Sequence, residues 1–508
     1  MQKDLGIWTV SPSSYDDKGR LFQFSRLLMV PPIFGVMRSL VGQAVDRLNI
    51  SADIFSVNER TEVGDDYISE IIANKDYVRK VVLVSTKTFE VPRGLDIARR
   101  FKKAGIKLVL GGIGVTLADW RVYQIFQEEG ICFNIGEGEE TVPRIIEDVV
   151  SNDLKKFYWQ KEFVDLNQSP CSALPDRRGD GYKYALNPMA GIDTAEGCPH
   201  RCSYCSVIIL RGRKMIQLRS RDPEQIVCWV EQAHLMGLPI MFLDDNFRRS
   251  FNYRLLVQKL ITLNEKLKGT LKIFIQIDAT PNIIDEIADL ASAGVKQVFL
   301  GIETFKSEIL RSVGKTQNKP ESYQAIVEKF HQYGILVDAG WMVGFPYQTT
   351  SEIIKEARLM VDIGIDLITP FRVVPFPRTK DYYEAVQNSE ITDWDPNNYD
   401  TTHFVRRLYN MTPEAAQAAV ADAFAIIYSL KQMLSGSPGL RWQIFLNNFY
   451  CRFIAEWGKR RIGRPYHVIM DGIPRLGRPV MRPPDSYRGA LLTCYDLDMR
   501  EFYLESLL

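Results

Sequence analysis

Three of the eight cysteines of this 508-residue chain fall in one short stretch, Glu196-Gly197-Cys198-Pro199-His200-Arg201-Cys202-Ser203-Tyr204-Cys205. The spacing is C-x₃-C-x₂-C. Thiolates select soft metals, and the number of ligands narrows the choice. A structural zinc takes four ligands, usually as two C-x₂-C pairs or with a histidine pair. Neither a fourth cysteine nor a His-x₃₋₅-His pair lies nearby. A redox C-x-x-C pair has no use for the first cysteine. Three thiolates without a fourth protein ligand fit a 4Fe–4S cluster with one open iron. An open iron can chelate a substrate or cofactor and pass it an electron. Zinc, and three merely buried cysteines, are the weaker readings.

Such a loop needs a scaffold, and the composition allows one. The chain is 46% hydrophobic and 25% charged, as globular proteins are, and at about 150 residues per domain it has two to four domains. Lys+Arg is 63 against Asp+Glu 62, a net charge of +1, which argues against nucleic-acid binding as the main function. The start leads into no apolar run, so no signal peptide is expected. No stretch of about 18 apolar residues is present, so none spans a bilayer. Cysteines this sparse make no disulfide framework, and a reducing cytoplasm is the expected location.

The pattern predicts an α/β chain of three parts. Residues 1–155 alternate apolar β-branched runs (Lys80 to Ser85, Ile106 to Leu110, Ile131 to Ile135) with helical patterns (Arg93 to Ala104, Glu139 to Val150). That is a doubly wound, Rossmann-like parallel sheet. Gly-rich turns follow two of its strands, at Gly111-Gly112-Ile113-Gly114 and Gly136-Glu137-Gly138. These sit where open sheets bind ligands, although the pattern is not a dinucleotide fingerprint. Residues 156–188 lose periodicity and read as an ordered linker. Apolar segments near 189–194, 239–243, 272–277, 297–302, 335–343 and 366–374 then predict a partial (β/α)₆ barrel over 189–390. Polar residues follow its strands, at the ends where barrels carry chemistry. Residues 391–508 read as a mainly helical cap, with the helix Pro413 to Met433 and a stretch from Phe445 to Gly463 rich in aromatics and cations.

The cysteine stretch after the first barrel strand resembles the radical S-adenosylmethionine (radical SAM) superfamily, and the resemblance extends over about residues 185–385. It implies that Cys198, Cys202 and Cys205 ligate the cluster and that its open iron binds S-adenosylmethionine (SAM). Tyr204 matches the aromatic residue near the adenine. Asp244 and Asp245 stand where the superfamily binds the SAM amine. Glu303 follows strand four, Val343 and Gly344 end strand five at the adenine, and Phe376 follows strand six. Physically, a carboxylate at Asp244, Asp245 or Glu303 suits the amine or ribose diol, and Gln276 can both donate and accept. Each of these also has a plain structural use as a loop or helix cap, and Gly344 as a turn glycine.

The barrel motifs together with the first domain resemble the superfamily members with a cobalamin-binding domain, among them hopanoid and bacteriochlorophyll side-chain methylases and the anaerobic Mg-porphyrin cyclase. Gly111, Gly112, Gly136 and Glu137 match later turns of that module, and Ser85, Thr86, Thr88 and Thr116 are its candidate hydrogen-bonding residues for the corrin or its nucleotide tail. The five histidines, at 200, 234, 331, 403 and 467, all lie outside the domain, so none of its residues is a histidine ligand to cobalt. The resemblance implies C-methylation of an unactivated carbon with a 4Fe–4S cluster, SAM and cobalamin. The alternative is a radical SAM cyclase, mutase or oxidase whose first domain is only a scaffold. Either form needs an electron donor of ferredoxin or flavodoxin type. The substrate is a small molecule, lipid, tetrapyrrole or peptide, with peripheral membrane contact an open possibility.

Overall fold

The computed structural model describes residues 2–16, 18–27, 30–61, 66–118, 130–175, 185, 187–210, 218–427, 472–474 and 481–482. Strands buried on both faces read as near-continuous apolar runs, and seven strands open the chain. They are β1 (Lys3–Ser11), β2 (Phe24–Leu27), β3 (Ala52–Asn58), β4 (Tyr77–Ser85), β5 (Lys107–Gly111), β6 (Cys132–Ile135) and β7 (Phe157–Trp159). All but β2 form one parallel sheet in the order β3-β1-β4-β5-β6-β7. Leu5, Ile7, Val81, Leu83 and Val109 face the helices Ile33–Leu48 and Gly138–Ser151. Trp8, Val82, Val84, Leu108 and Leu110 face Asp66–Ala73 and Val91–Lys103. The sheet is therefore doubly wound, and its direction of winding reverses between β1 and β4. A crevice opens at such a reversal. β7 lies inside the stretch 156–188, so this sheet extends past the expected boundary at residue 155.

The barrel strands are β8 (Ala190–Ile192), β9 (Ala195–Glu196), β10 (Arg219–Ser220), β11 (Ile240–Phe242), β12 (Ile273–Asp278), β13 (Val295–Glu303), β14 (Leu336–Val343) and β15 (Leu367–Arg372). Six of them form a parallel sheet in sequence order, β8-β11-β12-β13-β14-β15. A sheet in sequence order winds one way only and curves into a partial barrel, with helices on its outer face. Ile273, Ile275 and Ile277 alternate outward into that helical layer, which leaves Phe274, Gln276 and Asp278 on the inner face. Helix starts are set locally. Asp222 accepts from Glu224 N at 3.1 Å ahead of Pro223–Leu235. Thr349 and Glu352 cap Thr350–Asp362 reciprocally.

After the barrel, the helix Pro413–Ile427 packs Ala419, Val420, Ala423 and Ile427 into the outer core. The C-terminal region is not only a helical cap over the barrel. Its strand β16 (Gly472–Pro474) returns to pair antiparallel with β2 of the first domain. The aromatic and cationic stretch Phe445 to Gly463 lies outside the described residues. No helix among the described residues is long and apolar enough to cross a membrane.

Candidate functional site

The cysteine loop leaves β9 and is tied down on three sides. Ser203 N donates to Val313 O at 2.9 Å, Asp381 N donates to Ser203 O at 3.0 Å, and Cys205 N closes a turn on Cys202 O at 3.0 Å. Cys202 is buried, and Cys198 and Cys205 are half-buried. Burial pushes all three thiols up, Cys205 to about 12. Thiols in such a place ionise on binding metal rather than as free nucleophiles. Among the described residues, no three His, Cys, Asp or Glu side chains are grouped to hold a metal ion. A cubane asks less of its ligands than a single ion does, because each thiolate meets a different iron.

The two aspartates after β11 hold this loop. Asp244 is 2% exposed. Its carboxylate accepts from Thr194 N at 2.7 Å, Thr194 Oγ1 at 2.5 Å and Ala195 N at 2.9 Å. Burial pushes its carboxyl up to about 7, against those donors. Asp245 accepts from Gly197 N at 2.8 Å, one residue before Cys198. Both oxygens of Asp244 hold the strand that enters the loop. The next residue is better placed. Asn246 Nδ2 lies 4.0 Å from Cys198 Sγ, and its Oδ1 is buried without a partner.

His200, inside the loop, turns to the barrel. Its Nε2 lies 2.8 Å from Asp278 Oδ2, which also accepts from Arg249 at 2.5 Å. Burial opposes ionisation of Asp278, but His200 and Arg249 hold its carboxyl well below the usual range. Gln276 stands half-buried on the same inner face, in register with Phe299.

On the opposite side Glu303 pairs with Lys315, and both are largely buried. Glu303 has φ +66° where β13 slips register against β14. A non-glycine residue in that region is strained and held by its surroundings. Tyr204 lies beside Glu303, and its ring packs with Met342, Phe345 and Val373. Burial disfavours the Lys315 ammonium, but Glu303 and Cys202 raise it above the usual value. Tyr204 and Glu303 thus come together beside the cysteines, and Lys315 joins them. Lys315 stands in Gly314-Lys315-Thr316-Gln317, a loop whose polar residues after a strand were its available signal.

The other strand-end residues of the barrel make packing contacts. Val343 points into the outer core, and its carbonyl accepts from Val373 N at 2.8 Å. Gly344 has φ +95°, and a Cβ there would lie 2.6 Å from the Phe404 ring, so its missing side chain makes room for Phe404. Phe376 packs with Val374, Tyr399 and Val405, away from the Tyr204 cluster. Met342 is the strand-five residue that reaches that cluster.

A cavity of about 550 Å³ opens at the carboxyl ends of the first sheet. Ser85, Thr86, Gly111, Gly112, Gly136 and Glu137 all line it. Gly112 has φ +95°, and a Cβ there would lie 2.6 Å from the Thr86 backbone. The inner wall is aliphatic, with Leu40, Leu83, Val109, Val142 and Ile145. Three polar residues are already used by the protein. Thr86 Oγ1 donates to Gly111 O at 3.0 Å, Thr116 Oγ1 accepts from Gly136 N at 3.0 Å, and Glu137 accepts from Arg219 at 2.6 Å. Asn134, from β6, also lines the cavity. It is 8% exposed, and its Oδ1 has no partner. Glu196 and Leu210, which flank the three cysteines, complete the wall. Nothing in the sequence marks Asn134, because a lone Asn in a strand carries no motif.

Residues 192–360 match the radical SAM superfamily. The chain is 24% identical over 406 residues to bacteriochlorophyllide d C-8(2)-methyltransferase of Chlorobaculum tepidum, covering 76% of this chain and 86% of that one. It is 27% identical over 296 residues to the hopanoid C-2 methylase of Rhodopseudomonas palustris, covering 56% and 53%. Among solved structures, the radical SAM methyltransferase TsrM of Kitasatospora setae with cobalamin and a 4Fe–4S cluster superposes with a TM-score of 0.59 at 16% identity, over 84% of this chain and 91% of that one. The cobalamin-dependent radical enzyme OxsB with aqua-cobalamin and SAM superposes with a TM-score of 0.61 at 12% identity, over 98% and 80%. These likenesses carry the fold: a Rossmann-like sheet followed by a partial barrel. With its three cysteines on the loop after the first barrel strand, the chain carries a radical SAM domain over residues 192–360.

Proposed function

We propose that the chain is a cobalamin-dependent radical SAM methyltransferase that methylates an unactivated carbon of a small-molecule substrate. One observation carries this reading: Glu196 and Leu210, on either side of the cysteines, line the cavity of the first domain, so the two cofactor sites share a wall.

The residues fit the groups. Cys198, Cys202 and Cys205 would hold the cluster and leave one iron open. SAM is a zwitterion with a flat base. Asn246 Oδ1 offers a buried acceptor beside Cys198, Glu303 and Lys315 offer opposite charges, and Tyr204, Met342 and Phe345 offer an apolar surface. The aliphatic wall and the orphaned Asn134 Oδ1 suit a large, mostly apolar ligand that carries amide N–H groups, as a corrin does. No histidine among the described residues lines that cavity. When bound, the cluster supplies the electron that cleaves SAM, and cobalamin carries the methyl group.

The chain's own part is placement and exclusion of water. Asp244 and Asp245 fix the strand entering the cysteine loop, and Asp278 fixes the His200 ring. The Lys315 ammonium sets a buried positive charge near Cys202, where the cluster concentrates negative charge. On the inner face, Phe299 and Phe371 stand edge to face at 6.4 Å and suit a substrate with an apolar surface. The electron comes from a ferredoxin- or flavodoxin-type donor.

The test is an anaerobic incubation of the cluster-loaded chain with hydroxocobalamin, SAM and a strong reductant, with Cys202→Ala as control. Retained cobalamin with both 5′-deoxyadenosine and S-adenosylhomocysteine is the expected result. Deoxyadenosine alone, without retained cobalamin, overturns methyl transfer in favour of cyclisation, rearrangement or oxidation.

A further inference from the structure

Arg219 is the joint between the two sites. It stands on β10, directly opposite Glu196 of β9 in an antiparallel pair. Its side chain is 10% exposed. One guanidinium donates to Glu196, to Glu137 Oε1 at 2.6 Å and to Val164 O at 2.9 Å, and it lies over the Phe163 ring at 4.9 Å. It therefore holds together the strand that leads into the cysteine loop, a cavity turn of the first domain and the linker. Glu137 is committed further. Its backbone N donates to Gln160 Oε1 at 3.0 Å, and it precedes the helix Gly138–Ser151, whose Val142 and Ile145 form the cavity wall. A second tie reaches the same rim: Arg378, with φ +66°, donates to Thr116 O at 2.9 Å, and the Thr116 hydroxyl accepts from Gly136 N.

We infer that Arg219 is a positioning residue that couples the two cofactor sites, so that a cluster on the cysteine loop and a ligand in the first-domain cavity stabilise each other. The physical reason is the shared wall. Glu196 precedes Cys198 by two residues and Leu210 follows Cys205 by five, and both face the cavity. A cluster that orders the loop also orders that wall, and a ligand that packs on the wall restrains the loop. Arg219 carries the restraint across the domain junction because it binds Glu196 and Glu137 at once. Coupling of this kind is reciprocal at equilibrium. The inference rests on the reading of the cavity as a cobalamin site.

The experiment titrates hydroxocobalamin into the full-length chain by absorbance, with the cluster loaded and with it removed by a chelator. The wild-type chain is expected to bind about tenfold more tightly when the cluster is loaded. Retained cobalamin is expected to slow cluster loss to the chelator in turn. Arg219→Gln is expected to reduce the difference between the two states to less than about threefold, with binding to the cluster-free chain within about twofold of wild type. A residue that simply contacts the ligand would weaken both states alike. Arg219→Lys, which keeps the charge but loses the fork, is expected to fall between. If Arg219→Gln does not fold, Glu137→Gln breaks the same tie from the other side. Equal affinities in the two wild-type states, or an undiminished difference in both Arg219→Gln and Glu137→Gln, overturn the coupling alone. A wild-type chain that binds no hydroxocobalamin in either state overturns the cavity reading and this inference with it.

Discussion

The cavity of the first domain and the mouth of the barrel are built from opposite materials. The cavity is walled by backbone turns and aliphatic side chains, and Glu137 at its edge is committed to Arg219. The barrel mouth is walled by charges held in pairs, Lys315 with Glu303, and Arg249 and His200 with Asp278. A wall of low polarity gains from burying a large ligand and tolerates small changes in shape. A wall of buried ion pairs is organised before the ligand arrives, but it fails when one partner is lost. The first kind suits a bulky, mostly apolar cofactor, the second a small zwitterion. The two walls should therefore break differently, steeply at the barrel mouth and by degrees in the cavity.

The steepest break is expected at the cysteines. Cys202→Ala should abolish the brown absorbance of the cluster and all formation of 5′-deoxyadenosine, while the chain still binds hydroxocobalamin in its cluster-free mode. Loss of cobalamin binding altogether would mean that the cavity has no wall of its own. Lys315→Met is next. It leaves the Glu303 carboxylate buried against Cys202 and Tyr204, and losing one partner of such a pair costs about 3–5 kcal/mol of unfolding free energy. Urea unfolding of the full chain measures it. The double variant Lys315→Met with Glu303→Gln should recover most of that loss. If it does not, Lys315 acts through packing rather than charge.

The same contrast governs what the sequence made legible. The six barrel strands and the doubly wound sheet follow from apolar periodicity, which burial enforces over many residues. Gly111, Gly112 and Gly136 were legible because tight turns at strand ends have few other uses, and all three line the cavity. The barrel carboxylates were harder. Asp244 and Glu303 are both acidic residues after strands, yet Asp244 is spent on Thr194 and Ala195 while Glu303 faces Tyr204 and Lys315. Residue type and position do not separate a cap from a ligand contact; only the partners do. The packing use of Gly344 was not legible for a related reason, because the Phe404 ring that needs its space comes from a segment sixty residues on, past the barrel. The strand β16, which pairs with β2 at the far end of the chain, has no local signature at all.

A pH measurement sharpens the comparison inside the barrel. Asp338, on β14, has the Thr369 hydroxyl 3.1 Å from its carboxylate, and burial pushes its carboxyl up to about 7. Its value in an unfolded chain is about 3.9. Between these two values the folded state binds the extra proton, so this residue's contribution to stability falls as pH rises. Asp338→Asn cannot titrate. Its stability relative to wild type should therefore rise by about 3 kcal/mol between pH 4 and pH 7. Asp278 has the opposite sign. Its lowered carboxyl contributes stability that is present above about pH 4 and lost on acidification. A flat difference between Asp338→Asn and wild type would show that the inner carboxylate is already solvated.

The gentlest break is in the cavity wall, at Asn134. A buried carbonyl oxygen without a partner costs the folded chain about 1–3 kcal/mol. Asn134→Leu removes that cost with the same branching at Cγ, and the cavity beside it takes up the larger methyl groups, so the variant should unfold at the same or a higher urea concentration than wild type. If Oδ1 is kept to accept an N–H of the cofactor, the same variant should bind hydroxocobalamin about tenfold more weakly, or about 1.4 kcal/mol. Packing alone predicts that stability and affinity move together, because a better-filled wall would serve both. A group retained for a ligand predicts that they move apart. Unchanged affinity with raised stability would remove Asn134 from the site and leave the cavity held by shape and by its aliphatic wall.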